Sequence, residues 1–276
     1  MRDRLRIGKI PYLNLFPVFR VLQRDCDCSA YDFIEGVPSQ VNRMLRSGEI
    51  DVSPSSSIEY LRNPSLYEIV EGHSISSRGP IGSILLFSRR EIADLGGVNI
   101  TVTAQSETSI GLLAVVLTQF FGIEPPLEIS QRPERSDADA FLLIGDDALR
   151  QRRMIADTGE TVEQSCRGLR VYDLGEIWFE RTGLPFVFAL WIARRDVTRE
   201  TGPTRDLYER FLADMERAGK TIPVDFELLA AEAPLQEYME ESEIISYWRQ
   251  IDYGLTDENR KGLRLFKEFL DRIGYL

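Results

Sequence analysis

The chain has 276 residues and a mass of 31.6 kDa, and 43% of its residues are hydrophobic, which suffices for a folded core and excludes a disordered protein. Its formal net charge of −11 argues against nucleic acid as a partner, because phosphate binding needs a basic surface. With no apolar run of the roughly 18–20 residues that cross a membrane, and no secretory signal pattern at the N-terminus, we expect a soluble, cytoplasmic protein without a membrane partner.

Short β runs alternate with helical patterns along the chain. In order, the predicted strands are Leu5–Ile10, Tyr31–Glu35, a run from Ile50, Asn99–Thr103, Pro125–Arg132 and Ala140–Ile144. The predicted helices are Leu15–Arg24, a segment from Pro38 to Gly48, Thr108–Phe121, Asp146–Arg153, Thr204–Ala218 and Asp257–Ile273. This alternation indicates an α/β fold with a parallel sheet and helices on its faces.

Two apolar segments with little alternation, Gly82–Ser88 and Pro185–Arg194, are typical of buried strands. If the chain leaves one lobe through the first and returns through the second, lobe one contains residues 1–86 and 193–276. Lobe two then contains residues 87–192. Such an insertion predicts a cleft between two lobes, which is a preferred place for a small-molecule site.

Polar side chains follow the first predicted strand in the segment IPYLN. Sites in open α/β sheets lie beyond the carboxyl ends of strands, where Tyr12 could offer a hydroxyl and Asn14 both a donor and an acceptor. The same segment could instead be a simple turn, with Asn14 as the N-cap of the following helix. The local pattern leaves both interpretations open.

Two hydroxyl-rich segments each stand between a strand and a helix. The segment DVSPSSS contains Ser55, Ser56 and Ser57, and AQSETSIGLL contains Ser106, Thr108 and Ser109. Hydroxyls and free amides at a helix N-terminus form a cradle for a carboxylate or phosphate. The alternative is ordinary helix capping, for which one serine in each segment suffices. In the second segment Ser106 would then be the cap, and Thr108 and Ser109 would face solvent. One cradle per lobe would suit a ligand with two carboxylates.

Four further residues are candidates for ligand binding or proton transfer. Arg78 could pair with a carboxylate, or it could be a surface arginine. Ser83 is expected to face the cleft from the Gly82–Ser88 strand. Asp146 could act on a ligand, although a carboxylate is also favoured at a helix start. His73, the single histidine, is more often structural in such a setting.

Common motifs for metals, disulfides and nucleotides do not occur. Cys26 and Cys28 lie too close for an easy bridge, Cys166 stands alone, and the usual transition-metal sites need three or four ligands together. No Ser-His-Asp order, Walker A loop or Gly-x-Gly-x-x-Gly is present. We therefore expect no bound metal and no nucleotide-dependent chemistry.

Seven segments in order, over roughly residues 5–195, resemble the menaquinone-biosynthesis family. They are IGKIPYLNLFPVF, GVPSQVNRML, DVSPSSSIEYL, RGPIGSILLFS, TSIGLLAVVL, IGDDAL and DLGEIWFERTGLPFVFALW. The family contains chorismate dehydratases and 1,4-dihydroxy-6-naphthoate synthases of the futalosine pathway. The IPYLN, SPSSS and GPIGSI segments look like the dehydratase branch.

The resemblance implies a two-lobed, type II periplasmic-binding-protein-like fold used as an enzyme, without a metal or organic cofactor. It implies a lyase that removes water from chorismate to give 3-[(1-carboxyvinyl)oxy]benzoate, with the enolpyruvyl carboxylate of the substrate as the base. By family position, Asn14 would orient the side chain or ring hydroxyl, Ser83 would help to hold the substrate, and the two serine cradles would bind carboxylates.

Three alternatives to the dehydratase stay open: the sister synthase, a non-catalytic small-anion binding protein of the same fold, and the ligand-sensing module of a regulator. Consumption of chorismate, as opposed to binding alone, separates an enzyme from a receptor. The acidic composition and the lack of a DNA-binding segment weigh against a regulator. The sequence indicates no oligomeric state.

Overall fold

A computed structural model describes residues 4–157, 168–199, 201–234 and 237–276 of the chain. Cys166 lies outside these residues. Within them, no helix combines the length and apolar character needed to cross a bilayer. The same residues contain no group of three or more His, Cys, Asp or Glu side chains arranged to hold a metal ion.

The secondary structure of the described residues alternates between strands and helices. The strands are β1 Leu5–Lys9, β2 Tyr31–Glu35, β3 Val52–Ser56, β4 Tyr67–Ser77, β5 Ile84–Ser88, β6 Ile100–Thr103, β7 Leu127–Ser130, β8 Ala140–Ile144, β9 Arg170–Asp173 and β10 Phe186–Arg194. The helices are α1 Phe16–Asp25, α2 Pro38–Ser47, α3 Ser57–Arg62, α4 Glu107–Val115, α5 Gly145–Asp157, α6 Leu174–Thr182, α7 Arg195–Arg199, α8 Pro203–Thr221, α9 Phe226–Ala230, α10 Glu241–Gln250 and α11 Asp257–Arg272. The sequence pattern gives no bounds for β4, β9, α3, α6, α7, α9 or α10.

Internal contacts divide the chain into two compact units. Unit one comprises Met1–Ser76 and Val187–Thr256, and its sheet has the strand order β2-β1-β3-β10-β4. Unit two comprises Ser77–Phe186 and Asp257–Leu276, with the order β7-β6-β8-β5-β9. Residues 257–276 therefore group with unit two, whereas the predicted boundaries put them in lobe one.

Aromatic packing within unit two explains where the C-terminal helix α11 belongs. The ring of Phe266 lies 4.7 Å from that of Phe186 and 6.0 Å from that of Trp178, measured between centroids. All three side chains are fully buried. The apolar stripe of α11 was visible in the sequence, but its partners on α6 and at the start of β10 become neighbours only in the folded unit.

Both sheets mix parallel and antiparallel strands, so the prediction of a parallel sheet is correct only in part. In unit one, β1 runs parallel to β2 and β3, while β10 is antiparallel to β3. In unit two, β6 runs parallel to β7 and β8, while β5 is antiparallel to β8 and β9. The chain passes from one unit to the other shortly before β5 and again at the start of β10, so no βαβ crossover within one sheet imposes a parallel direction on these strands.

Candidate functional site

Tyr12 and Asn14 lie in the turn between β1 and α1. The backbone N–H groups of Leu15 and Phe16 donate to the Tyr12 carbonyl, at 3.0 and 3.1 Å. Leu15 holds the N-cap position of α1 and no side chain caps the helix, so Asn14 is not its capping residue. Instead, the Asn14 Oδ1 atom is buried, and it accepts no hydrogen bond from the described residues.

The buried serines of the DVSPSSS segment end β3 and begin α3. The Ser53 and Ser55 hydroxyls are hydrogen-bonded at 2.7 Å. Ser56 stands at the N-cap of α3, but its hydroxyl does not cap the helix; it accepts a hydrogen bond from Asn42 Nδ2 at 2.7 Å. The Ser56 N–H in turn donates to Asn42 Oδ1 at 3.3 Å. Plain capping thus does not account for Ser56.

The carboxyl ends of β1 and β3 form one edge of the sheet in unit one, because the two strands are parallel neighbours. Asn14 follows the end of β1, and Ser55–Ser57 span the end of β3 and the start of α3, so both lie along this edge. Sequence reasoning missed Asn42, which supports Ser56 from α2. A polar residue among the inward-facing positions Val41 and Leu45 was the available signal.

Ser83 and Asp146 lie at the corresponding edge of the sheet in unit two. The Gly145 N–H donates to the Ser83 carbonyl at 2.8 Å, and Asp146 stands in the first turn of α5. Ile84 pairs with Ile144 in the antiparallel register of β5 and β8, which brings the start of β5 next to the end of β8. Both Ser83 and Asp146 are buried.

The second serine cluster stands at the N-terminus of α4, directly after β6. Ser106 caps the helix, since its hydroxyl accepts a hydrogen bond from the Ser109 N–H at 3.3 Å. Thr108 and Ser109 are each only 1% exposed, so the alternative in which they face solvent is wrong. Because β6 is parallel to β8, this cluster lies at the same sheet edge as Ser83 and Asp146.

Asp173, at the N-cap of α6, is a buried carboxylate that sequence reasoning missed. Its oxygens accept hydrogen bonds from the backbone N–H groups of Gly82 at 2.6 Å, Ile81 at 3.1 Å, Gly175 at 2.9 Å and Glu176 at 3.3 Å. Burial raises the pKa of Asp173, and these N–H groups oppose the rise. The Asp-x-Gly-Glu pattern before an apolar helix was the signal for its capping role.

Arg78 stands on the surface of unit two with its guanidinium already paired. It forms an ion pair with Glu258 and lies 5.9 Å from the ring centroid of Phe179. Only its Nη2 atom contacts Glu258, so the remaining N–H groups of the guanidinium could still donate to a ligand carboxylate.

His73 lies on β4 and lines a cavity of about 1040 Å³ within unit one, between β4 and α8. A Cβ atom added to Gly219 of α8 would lie 3.2 Å from the His73 Cε1 atom, so the imidazole packs closely on that helix. Burial lowers the pKa of His73, and the nearby Glu216 opposes the shift. This environment agrees with the structural interpretation of His73.

The two sheet edges thus present mainly hydroxyls, amides and backbone N–H groups. Such groups bind carboxylates and orient hydroxyls, because they supply directed hydrogen bonds without a fixed charge. Asn14 adds a buried acceptor that a ligand O–H or N–H group can satisfy. The edges are accordingly better suited to binding and positioning an anion than to supplying a strong base.

Comparison with known proteins gives a family match along almost the whole chain. A family model described as menaquinone biosynthesis matches residues 5–272. A relative from Thermus thermophilus, named chorismate dehydratase, is 27% identical over 270 residues, which cover 96% of this chain and 94% of the relative.

Solved structures with the same architecture include two of low sequence identity. Protein AF1704 from Archaeoglobus fulgidus has a TM-score of 0.75 at 18% identity, with 99% of both chains covered. The periplasmic aliphatic sulphonate binding protein SsuA from Escherichia coli has a TM-score of 0.64 at 17% identity, covering 100% of this chain and 89% of the other. The predicted periplasmic-binding-protein-like fold is therefore confirmed.

Proposed function

Because the chain belongs to the menaquinone biosynthesis family, we propose that it is a hydro-lyase that converts chorismate to 3-[(1-carboxyvinyl)oxy]benzoate. The observation that carries the proposal is the buried Asn14 Oδ1, which accepts no hydrogen bond from the described part of the chain and stands beside a sheet edge rich in hydroxyls. The Thermus thermophilus relative named chorismate dehydratase supports the choice of substrate.

The two hydroxyl-rich edges match the charge pattern of chorismate, which carries two carboxylates. Ser55–Ser57 at the start of α3 are candidates to bind a substrate carboxylate, and so are Ser106, Thr108 and Ser109 at the start of α4. Tyr12, Ser83 and Asp146 lie at these edges and would supply further contacts. Arg78 could add a charge-assisted hydrogen bond through the N–H groups that do not contact Glu258.

The reaction needs a base, a leaving hydroxyl and precise orientation. The enolpyruvyl carboxylate of the substrate removes the hydrogen on the ether-bearing ring carbon, and the bond between the neighbouring carbon and its hydroxyl breaks. The departing hydroxide takes up the proton and leaves as water, while the ring becomes aromatic. Asn14 Oδ1 accepts a hydrogen bond from the ring hydroxyl and so fixes the reactive conformer. A base supplied by the substrate fits edges composed mainly of hydroxyls and amides.

Incubation of the purified protein with chorismate tests this function. We expect the benzoate chromophore to appear and the product mass to equal that of chorismate less one water. Unchanged chorismate would overturn the proposal. Binding without consumption would indicate a small-anion binding protein, and turnover of a cyclic futalosine-derived substrate instead would indicate the sister synthase.

A further inference from the structure

The loop between β4 and β5 lies outside the regular hydrogen-bonding pattern of the two strands. It runs through the segment RGPIGS, and both of its glycines adopt positive φ angles, 104° at Gly79 and 75° at Gly82. Such angles are accessible to glycine and strained for other residues. Because β4 ends at Ser77 and β5 begins at Ile84, the N–H groups of Ile81 and Gly82 lie outside both strands and need other acceptors.

Asp173 supplies these acceptors while it also caps α6. One carboxylate receives the N–H groups of Ile81 and Gly82 from the loop and those of Gly175 and Glu176 from the helix. A buried carboxylate with several N–H donors forms strong, charge-assisted hydrogen bonds. The first turn of α6 and the loop are thus joined through a single side chain.

Close backbone packing reinforces this junction. A Cβ atom on Gly175 would lie 2.8 Å from the Gly79 carbonyl oxygen and 3.0 Å from the Ser77 hydroxyl, which itself donates to the Gly79 carbonyl at 2.7 Å. Beyond the loop, the Ser83 carbonyl accepts the Gly145 N–H. The position of Ser83 is therefore set by backbone contacts on both sides.

We propose that Asp173 is a positioning residue, which places Ser83 for the reaction by holding the backbone of Ile81 and Gly82. This inference rests on the proposed function, in which Ser83 contacts the substrate. Asp173 itself need not touch the substrate. Its replacement by Asn would put an NH₂ group where an oxygen now accepts backbone N–H groups, and the loop would have to move.

A double-mutant cycle between Asp173→Asn and Ser83→Ala tests the proposal. We expect Asp173→Asn alone to lower kcat/KM for chorismate by about 10- to 100-fold, because displacements near 1 Å cost this much. In the Ser83→Ala background, Asp173→Asn should lower kcat/KM by less than about twofold, because the Ser83 hydroxyl that it would misplace is already absent. If the loss of kcat/KM in the double variant equals the product of the losses in the two single variants, the proposal is overturned.

Gly175→Ala disturbs the same loop without removing a buried charge, and it keeps the test decisive if Asp173→Asn does not fold. It should show the same dependence on Ser83. Asp27→Asn is the matched control, because Asp27 is an exposed N-cap residue in unit one, and we expect its kcat/KM to be unchanged.

Amide hydrogen exchange separates this inference from the proposed function. Asp173→Asn should speed exchange at Ile81 and Gly82, whether or not chorismate is the substrate. Native protection of both amides in the variant would overturn the positioning role. Failure of the wild-type protein to consume chorismate would instead overturn the proposed function, and the exchange rates would still decide whether Asp173 holds the loop.

Discussion

Asn14 and Asn42 are two asparagines beside the same sheet, and they differ in how their amides are satisfied. Asn42 exchanges two hydrogen bonds with Ser56 and is buried. Asn14 Oδ1 is also buried but receives no bond from the described residues. A buried acceptor without a donor destabilises a protein, so the position of Asn14 Oδ1 is explained if a ligand supplies the missing donor.

We expect Asn14→Ala to lower kcat/KM for chorismate by about 10- to 100-fold, which corresponds to the loss of one hydrogen bond to the reacting molecule. The free energy of unfolding should stay unchanged or rise by up to about 1 kcal/mol, because no protein donor to Oδ1 is lost. Steady-state kinetics and urea denaturation measure the two effects.

Asn42→Ala is the matched comparison for this prediction. It removes two hydrogen bonds inside the protein and should lower the free energy of unfolding by about 1–3 kcal/mol. Wild-type turnover in Asn14→Ala would remove Asn14 from the mechanism. A loss of stability in Asn14→Ala as large as that in Asn42→Ala would show that its amide is structural.

His73 should make the protein less stable in mild acid. Burial holds its pKa below the ordinary value near 6.5, so below that pH the unfolded chain takes up a proton that the folded chain resists. The free energy of unfolding should fall as the pH drops below about 6.5, by at most about 1.4 kcal/mol per pH unit from this group. Urea denaturation of the wild type and His73→Gln at pH 7.5, 6.5 and 5.5 isolates its part. Equal pH dependence in both proteins would contradict the prediction.

At the scale of elements, periodicity predicts the segments whose shape is set locally. The predicted bounds of β2 and β8 coincide with the structure, because apolar β runs are flanked by clear turn and helix signals. Strand β4 could not be predicted in the same way. Gly72 interrupts it with a φ of 79°, and Ser74 and Ser76 pair with the distant residues Tyr253 and Asp252. These long-range hydrogen bonds have no periodic signature.

The same distinction between local and long-range structure holds for the residues of the candidate site. Serines that end a strand and begin a helix are visible in the sequence, because their position follows from local structure. Asp173 was not visible as a partner of Ile81 and Gly82, since roughly 90 residues separate them along the chain. Their proximity depends on how the strands and helices of unit two pack, which no local pattern encodes.

Gly262 allows α11 to pack closely on the backbone of Pro185 within unit two. A Cβ atom at this position would overlap the Pro185 carbonyl oxygen, and a backbone atom cannot move aside as a flexible side chain would. Gly262→Ala should therefore lower the free energy of unfolding by about 1–3 kcal/mol, as overpacking does. Lys261→Ala, an exposed neighbour on the same helix, should stay within about 0.5 kcal/mol of the wild type. Equal thermal stability of the two variants would refute the close packing.

At the scale of the whole molecule, the net charge of −11 opposes the approach of the proposed substrate, which is itself a dianion. Hydroxyls, amides and helix N-termini bind a carboxylate only at short range, because their dipole fields fall off within about one helical turn. The repulsion acts over the Debye length, which is about 30 Å at 0.01 M salt and about 8 Å at 0.15 M. Salt should therefore weaken the long-range repulsion between protein and substrate far more than the short-range contacts that bind the carboxylates.

Between 0.01 and 0.15 M salt, we expect kcat/KM for chorismate to rise several-fold. This is the order of magnitude by which screening reduces the repulsion between the protein and the two charges of the substrate. Turnover at saturating chorismate should not change, because the bound substrate no longer has to approach. Steady-state kinetics with two salts that contain different anions separates two effects. Screening depends only on ionic strength, whereas competition for the serine segments depends on the kind of anion. A fall in kcat/KM with salt would contradict the prediction and would indicate that a cation such as Arg78 dominates binding. Arg78→Gln should then abolish that fall.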